Sequence, residues 1–332
     1  MIIKIPAKNI EEQKTILMER NIKLTPNSTE ILLQYGYYNL INGYKDAFID
    51  EEKSKQLGHD FYKDDTTLDK IVTLYRFDEM LRRNILDFVT IIETQMKSLI
   101  SLHFSLRYGT NHWEYLSPSS FTTSPKQTRY VNSLINKLNN DIHKFSTWKP
   151  HPAICHFVQK YNQVPLWALN TVMTFGTMAN FYDLLTDDLK KKIAHDINPN
   201  LTPTTLSSIL YYLTDIRNKC AHNNRLYTYK IDQRATRTST IPQLTIHSTI
   251  NIPRLNASAN SSFVYGQDDI LAVLICITVF FGQTHVYRIL YDNIDKSISS
   301  LSTTISPEVE SFVREITGLK HEYLEALKNI SI

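Results

Sequence analysis

The stretch from Thr66 to Tyr108 constrains the fold most, because it contains neither proline nor glycine. Apolar residues recur along it at a spacing close to a heptad, at Ile71, Leu74, Leu81, Ile85, Phe88, Ile92, Met96, Leu99 and Leu102. This spacing is typical of a helix that buries one long seam, and Gly109 follows as a C-terminal stop. The stretch therefore predicts one very long helix, or two helices broken near Asn84, at the centre of a mainly α protein.

Composition narrows the classes of function. The three cysteines form no CxxC pair, which argues against a disulfide framework or a zinc site and favours a reducing, cytoplasmic compartment. Neither GxxxxGK[ST] nor GxGxxG occurs, so no nucleotide cofactor is expected. The longest apolar run, Ile270 to Gly282, is too short to span a bilayer. The net charge of +3 is too small to imply nucleic-acid binding, yet it is compatible with a local basic surface.

A second stretch, Leu213 to Tyr227, carries the polar groups best suited to chemistry. It places Arg217, Asn218, His222 and Arg225 within three helical turns. Arginine stabilises charge on a phosphate, and histidine exchanges a proton near neutral pH. No carboxylate or Cys/His cluster with metal-ligand spacing surrounds these residues. The motif therefore fits a metal-free phosphoryl-transfer site.

The helix that carries this motif is predicted to begin at Thr202, an N-cap, with Pro203 in its first turn. Its apolar stripe consists of Leu206, Ile209, Leu210, Leu213, Ile216 and Cys220. Arg217 falls inside this stripe and diverges from His222 by about 140°. The two converge only if the helix ends near His222, if Arg217 curls round, or if a second subunit supplies the partner. Alternatively, Arg217 is a core-edge arginine paired to a carboxylate, and His222 is a surface histidine.

The long helix also carries carboxylates. Two acid–base pairs four residues apart predict a solvated face, namely Asp78 with Arg82 and Glu79 with Arg83. Glu93 differs, because it lies in an otherwise apolar turn. Its partner is either Arg217, which it would hold in place as a structural partner, or Lys97 at i+4.

We predict two parts of the chain, an N-terminal helical extension over residues 1–60 and a helical domain over residues 61–332. The extension contains an aromatic-rich segment, Tyr35 to Tyr44, suited to packing against the larger body or to stacking on single-stranded bases. The helical domain contains an insertion at residues 225–265. Leu244 to Ile252 alternates with a period of two, so the insertion is predicted to be a small β-hairpin or an irregular loop.

The insertion is basic. Only Asp232 opposes its cations before Asp268, and these cations are Arg225, Lys230, Arg234, Arg237 and Arg254. Such a segment, following a candidate phosphoryl-transfer motif, predicts RNA-backbone contacts through Arg225, Lys230, Arg234 and Arg237. The alternative is a solvated hairpin with no RNA role.

Landmarks of a known family occur in order along nearly the whole chain. They are Glu11–Gln13, Tyr37–Tyr38 through Gly43–Tyr44, Leu74–Tyr75 through Phe77–Asp78 to Leu81–Arg82, Ile92–Glu93, Pro165–Trp167, Phe175–Thr177 and Ile216–Arg225. In this order they resemble the Abi-like abortive-infection family of bacteria, the AbiD/AbiF group of the HEPN superfamily. The Arg-Asn-x-x-Ala-His segment is the most specific landmark. Asn223 departs from the pattern, because many relatives carry a second histidine there.

The resemblance implies a HEPN-like helical bundle with an N-terminal helical extension and the insertion described above. It implies a role in phage defence or toxin–antitoxin control, with RNA as substrate and a small antitoxin RNA as a further partner. HEPN sites with two motifs are built at the interface of two domains. Since this chain has one motif, the resemblance implies a homodimer.

The predicted activity is that of a metal-independent endoribonuclease in which the RNA 2′-hydroxyl attacks the adjacent phosphate. His222 would act as general acid or base, Arg217 would stabilise the phosphorane charge, and Asn218 would orient the imidazole or a phosphate oxygen. Two alternatives stay open. One is a non-catalytic RNA-binding HEPN protein that holds a small structured or antitoxin RNA. The other is a helical interaction protein in which the motif is only a dimer seam.

Overall fold

A computed structural model describes residues 7–231, 240–258, 260–282 and 286–330. Within these ranges the regular structure consists of α-helices, short 3₁₀ and π turns and isolated β-bridges, with no sheet, which confirms the mainly α prediction. The helices are α1 (Ile10–Glu19), α2 (Ser28–Tyr35), α3 (Tyr37–Tyr44), α4 (Glu51–Leu57), α5 (Leu68–Tyr108), α6 (His112–Tyr115), α7 (Thr128–His143), α8 (Pro152–Tyr161), α9 (Leu166–Leu169), α10 (Phe175–Asp183), α11 (Asp187–Ile197), α12 (Pro203–Ala221), α13 (Thr245–Thr249), α14 (Ile270–Phe281), α15 (Val286–Thr304), α16 (Pro307–Thr317) and α17 (His321–Lys328).

Helix α5 is the axis of the molecule. Its 41 residues form one unbroken helix roughly 60 Å long, so the single-helix alternative is the correct one. Thr67 caps its start by accepting a hydrogen bond from the Lys70 amide, and Gly109, at φ 79°, ends it. The second half of its buried face follows Ile85, Val89, Ile92, Met96, Ile100 and Phe104. The first four of these residues keep the heptad spacing, whereas Ile100 and Phe104 follow at steps of four. The predicted seam therefore drifts after Met96 and leaves Leu102 exposed.

The other helices pack around α5. Helices α3, α9, α10, α11, α12, α14 and α15 all contact it. Helix α14 is buried along nearly its whole length and lies between α12 and α15. None of the described helices is long and apolar enough to cross a membrane. The apolar side chains of α1 to α3 join the same continuous core as those of α5 and α12.

The described part of the insertion is irregular. The hairpin alternative is not found there, because the alternating segment forms the short helix α13. Ile246 and Ile250 both face the core, and a spacing of four satisfies a helix as well as a strand. The buried His247 ring fixes this turn through the Gly266 carbonyl, 2.7 Å from Nε2. The predicted RNA ligands Arg234 and Arg237 lie outside the described residues.

Candidate functional site

Helix α12 begins as predicted. The Thr202 hydroxyl accepts a hydrogen bond from the Thr205 amide, and Pro203 follows in the first turn. All six residues of the predicted apolar stripe are buried. Burial also raises the pKa of the Cys220 thiol to about 12. Cys220 therefore stays neutral near pH 7 and packs as an apolar side chain within the motif.

The opposite side of α12 presents the motif to solvent. Asn218, Ala221 and His222 are exposed. The sequence predicted that Arg217 lies inside the apolar stripe. The Arg217 side chain is 37% exposed, so it lies at the border of the stripe instead. Arg217 and His222 are thus the two edges of one exposed strip about 140° wide, with Ala221 and Asn218 between them. No hydrogen bond or ion pair joins the two side chains within the described ranges.

Helix α12 ends in a Schellman motif, which sets the direction of the chain that follows. The Asn224 amide donates to the Lys219 carbonyl at 3.0 Å, and the Asn223 amide donates to the Cys220 carbonyl at 3.3 Å. Asn223 adopts the left-handed conformation, at φ 54°. Asparagine tolerates this conformation better than most residues other than glycine. The geometry therefore gives a physical reason for an asparagine at position 223.

We expect Asn223→Gly to leave stability nearly unchanged and Asn223→Val to lower the free energy of unfolding by about 1–2 kcal/mol. The reason is that a β-branched side chain clashes with the backbone at positive φ, whereas glycine does not. Urea unfolding of the two variants beside the unaltered protein measures the difference. Equal stability of the glycine and valine variants would show that the left-handed cap is absent in solution.

A buried carboxylate anchors the chain after the motif. Asp78 of α5 accepts hydrogen bonds from the amides of Leu226, at 3.1 Å, and Tyr227, at 2.7 Å. The Tyr44 hydroxyl, at 2.7 Å, and the Arg82 guanidinium donate to the same carboxylate. Burial raises the pKa of Asp78, while Arg82 and these donors oppose that shift. Asp78 thereby joins α3, α5 and the segment after α12.

The prediction that Asp78 and Arg82 form a solvated pair is therefore wrong. Both side chains are buried beneath the Tyr44 ring of α3, which stacks on Tyr227 of the chain that leaves α12, and Arg82 lies 5.7 Å from the Tyr75 ring of α5. The neighbouring pair, Glu79 with Arg83, is at the surface as predicted, with a 2.7 Å separation. The two pairs have the same spacing, and only the packing of distant segments distinguishes them.

Glu93 lies between the two partners considered from the sequence. The Lys97 ammonium is 2.8 Å from Glu93 Oε1, and the Arg217 Nε is 3.8 Å from Glu93 Oε2. Lys97 also donates to the Met173 carbonyl at 2.7 Å. The closer ion pair is thus the one with Lys97, and Arg217 lies at ion-pair distance without a hydrogen bond. Arg217 consequently keeps donors free for a ligand.

A cleft of about 590 Å³ opens beside His222. Its walls combine the end of α12 with the aromatic segment of α2 and α3 and include Tyr35, Tyr38, Tyr44 and Tyr75. Tyr35 and Tyr44 each pack edge-to-face on Tyr75, at ring separations of 4.9 and 5.2 Å. Tyr38 is 76% exposed. The aromatic segment therefore contributes packing through Tyr44 and a free ring through Tyr38.

The two described cations of the predicted RNA-binding set have partners within the chain. Arg225 donates to the Gly43 carbonyl at 2.7 Å and to Asp46 at 3.0 Å, which ties the segment after α12 to α3. Lys230 is 3.4 Å from Asp268. Both retain exposed surface, so phosphate contact stays a prediction for each.

One group of potential metal ligands exists in the described ranges, and it does not include a motif residue. It consists of Asp295, His321 and Glu325. Arg314 occupies the Asp295 carboxylate at 2.9 Å, and Lys328 binds Glu325. Two cations at these carboxylates oppose the binding of a third positive charge.

The family model described as Abi-like protein matches residues 30–228, which is more than half of the chain. The chain therefore belongs to the Abi-like protein family. The matched range begins in α2 and ends just after the two amides bound by Asp78, so it contains the cleft and the motif. A search of curated proteins and a search of solved structures each found no match.

Two structural features had not been predicted from the sequence. Asp78 was among the family landmarks, but its role in fixing residues 226–227 has no local signal. The second is a basic, aromatic face on α7 and α8, for which a count of charges over residues 126–161 gives a clear signal.

Proposed function

We propose that the protein is a metal-independent endoribonuclease of the HEPN type that acts in phage defence. The observation that carries the proposal is the exposed strip of α12, which presents an arginine, an amide and an imidazole to solvent at the end of a rigidly capped helix. Membership of the Abi-like family supports the biological role. The strip provides the charge and the proton transfer that cleavage of RNA requires.

The proposed reaction uses the substrate's own nucleophile. The 2′-hydroxyl loses its proton and attacks the adjacent phosphorus, the bond to the 5′-oxygen breaks, and that oxygen takes up a proton. His222 serves one of the two proton transfers, and Arg217 stabilises the negative charge of the phosphorane. Asn218, four residues before His222 on the same side of α12, orients the imidazole or a phosphate oxygen. The products are a 2′,3′-cyclic phosphate and a 5′-hydroxyl end.

We further propose that the active form is a homodimer. On one chain Arg217 and His222 diverge, because they form opposite edges of the strip. A twofold axis near Ala221 would bring Arg217 of one chain towards His222 of the partner subunit, and the same contact would repeat by symmetry. The exposed methyl of Ala221 allows two helices to approach closely at this point.

Product analysis tests the reaction. Incubation with RNA in EDTA should give fragments that end in a cyclic phosphate and begin with a 5′-hydroxyl, as identified by mass spectrometry. RNA that binds tightly and remains intact would favour the non-catalytic RNA-binding alternative. Fragments that form only when a divalent cation is present would exclude the proposed chemistry.

An Ala221→Arg substitution should abolish the dimer and RNA cleavage while leaving the melting temperature nearly unchanged. In the proposed dimer the new arginine would place a large charged side chain between two helices. In a single chain the same position is exposed, so the fold should tolerate it. Light scattering and a cleavage assay provide the measurement. Thr204→Arg is the matched control, because Thr204 is exposed on the same helix about 25 Å away. An Ala221→Arg protein that remains dimeric and active would place the interface elsewhere.

A further inference from the structure

The segment that contains α7, the π turn Lys144–Trp148 and α8 concentrates the positive charge of the chain. Residues 126–161 contain six lysines and arginines and one acidic residue, Asp141, a net charge of +5 in a protein whose total is +3. Lys137 pairs with Asp141 at 2.7 Å. The other cations are Lys126, Arg129, Lys144, Lys149 and Lys160, which are all exposed. Within the described chain none of these five lies within 4.0 Å of a carboxylate.

Exposed aromatic rings accompany this charge. Trp148 is 79% exposed and stands on the π turn, a helix irregularity that is frequent at functional sites. Tyr161 and Trp167 are 48% and 47% exposed, and Phe157 joins them with ring separations of 5.7 and 6.5 Å. His156 contacts Tyr161 at 5.9 Å. His156, Phe157, Tyr161 and Trp167 thus form one cluster of rings beside cations that have no carboxylate partner. Two of these cations lie over rings: Lys160 is 5.1 Å from the Tyr161 ring, and Lys144 is 5.0 Å from the Phe145 ring.

This combination selects one class of ligand. Lysines and an arginine without a carboxylate partner favour a polyanion. Exposed flat rings add stacking energy only where a planar group can reach them, and the bases of a single strand can. In an RNA duplex the bases are stacked inside the helix and do not reach such rings. Single-stranded RNA satisfies both features at once.

The aromatic rings also lead towards Arg217. Trp167 forms one wall of a groove of about 680 Å³ that follows α5 from Leu106 to Thr94. Apolar side chains form most of the groove lining. Hydroxyl groups also line it, and those of Thr94 and Thr171 donate to backbone carbonyls. The buried Asn170 side chain lies at the floor of the groove, where its Oδ1 has no partner among the described atoms. Lys97 stands at the far end, and its carboxylate partner Glu93 is the residue beside Arg217.

We propose that the α7–α8 face binds single-stranded RNA and that the groove along α5 leads the strand to Arg217. This inference rests on the proposed function, because it names how the substrate is held. The rings bind bases, the lysines bind phosphates, and the hydroxyls of the groove bind sugar and phosphate oxygens. Binding at this face does not require the histidine that performs proton transfer.

The test measures binding apart from cleavage. A fluorescent oligouridylate of about 12 nucleotides is titrated onto the His222→Ala protein. Tyr161→Ala with Trp167→Ala should weaken binding at least tenfold, since two stacking contacts are lost. Lys149→Glu with Lys160→Glu should reduce the slope of log Kd against log salt by about 1.4, as expected for two lost phosphate contacts. The changed residues are exposed, so all variants should fold.

The matched control is Lys191→Glu with Lys192→Glu on α11, which changes the net charge equally at another exposed place. This control should bind as the His222→Ala parent does. If neither the Tyr161/Trp167 variant nor the Lys149/Lys160 variant changes the affinity for RNA, the inference is overturned. Equal affinity for an RNA duplex of the same length overturns the assignment to single strands. If the α7–α8 variants keep their affinity for RNA and lose only binding to phosphatidylglycerol vesicles, the inference is overturned and the face binds a membrane surface. Each binding result stands whether or not the unaltered protein cleaves RNA, so the two proposals fail separately.

Discussion

Replacing Asp78 with alanine is expected to lower the free energy of unfolding by about 3–5 kcal/mol. The carboxylate accepts hydrogen bonds from two amides after the motif, from Tyr44 and from the buried Arg82. Its removal leaves Arg82 as an uncompensated buried charge. Other groups compensate this charge poorly, because the Nε and Nη2 atoms of Arg82 lack hydrogen-bond partners among the described residues.

The neighbouring pair provides the matched control for this prediction. Glu79→Ala removes the same kind of i,i+4 partner from an exposed arginine and should change stability by less than about 0.5 kcal/mol. Thermal unfolding should separate the two variants by on the order of 10 °C. Equal melting temperatures for both variants would mean that Asp78 is solvated in solution.

The second large effect concerns activity. Arg217→Ala and His222→Ala should each lower the rate of RNA cleavage by about 10²–10⁴-fold, since each removes either the charge clamp or the proton transfer. The double variant should be little worse than either single variant, because the two groups act as a unit. Rates are measured with a fluorogenic RNA in EDTA.

These two substitutions should have small effects on stability. His222 is exposed, and Glu93 retains Lys97 when Arg217 is removed. The expected loss for Arg217→Ala is therefore about 1 kcal/mol or less, as for an ion pair near the surface. Arg83→Ala and His195→Ala, at two exposed positions outside the motif, are the matched controls and should keep full activity. Full activity of His222→Ala would overturn the assignment of a nuclease.

Residues close together in the sequence were sufficient to predict part of the structure. The cap at Thr202 and the buried stripe of α12 follow from residues within a few turns of each other. For α5 the local pattern predicted a long helical stretch but left open a break near Asn84. The heptad seam predicted for α5 holds for Ile92 and Met96 and is wrong beyond Met96, since two repeats of similar length separate only over several turns. Leu102 is exposed for this reason.

Contacts between distant segments were not predictable in the same way. Asp78 and Arg82 have the sequence spacing of a surface pair, and the residues that cover them lie nearly 150 positions later. Arg225 looked like a free cation in the sequence, whereas Gly43 and Asp46 bind it from the other end of the chain. Burial of a charge depends on tertiary packing, for which a single sequence carries no local signal.

The most direct test of the account uses heterodimers of two inactive chains. Arg217→Ala and His222→Ala chains are co-expressed with different tags, and the mixed dimer is isolated by both tags. If each site combines Arg217 of one chain with His222 of the partner subunit, one of the two sites is intact, and the mixed dimer should cleave RNA in EDTA at about half of the unaltered rate. A mixed dimer that forms and remains as inactive as its parents would contradict a site shared between two chains.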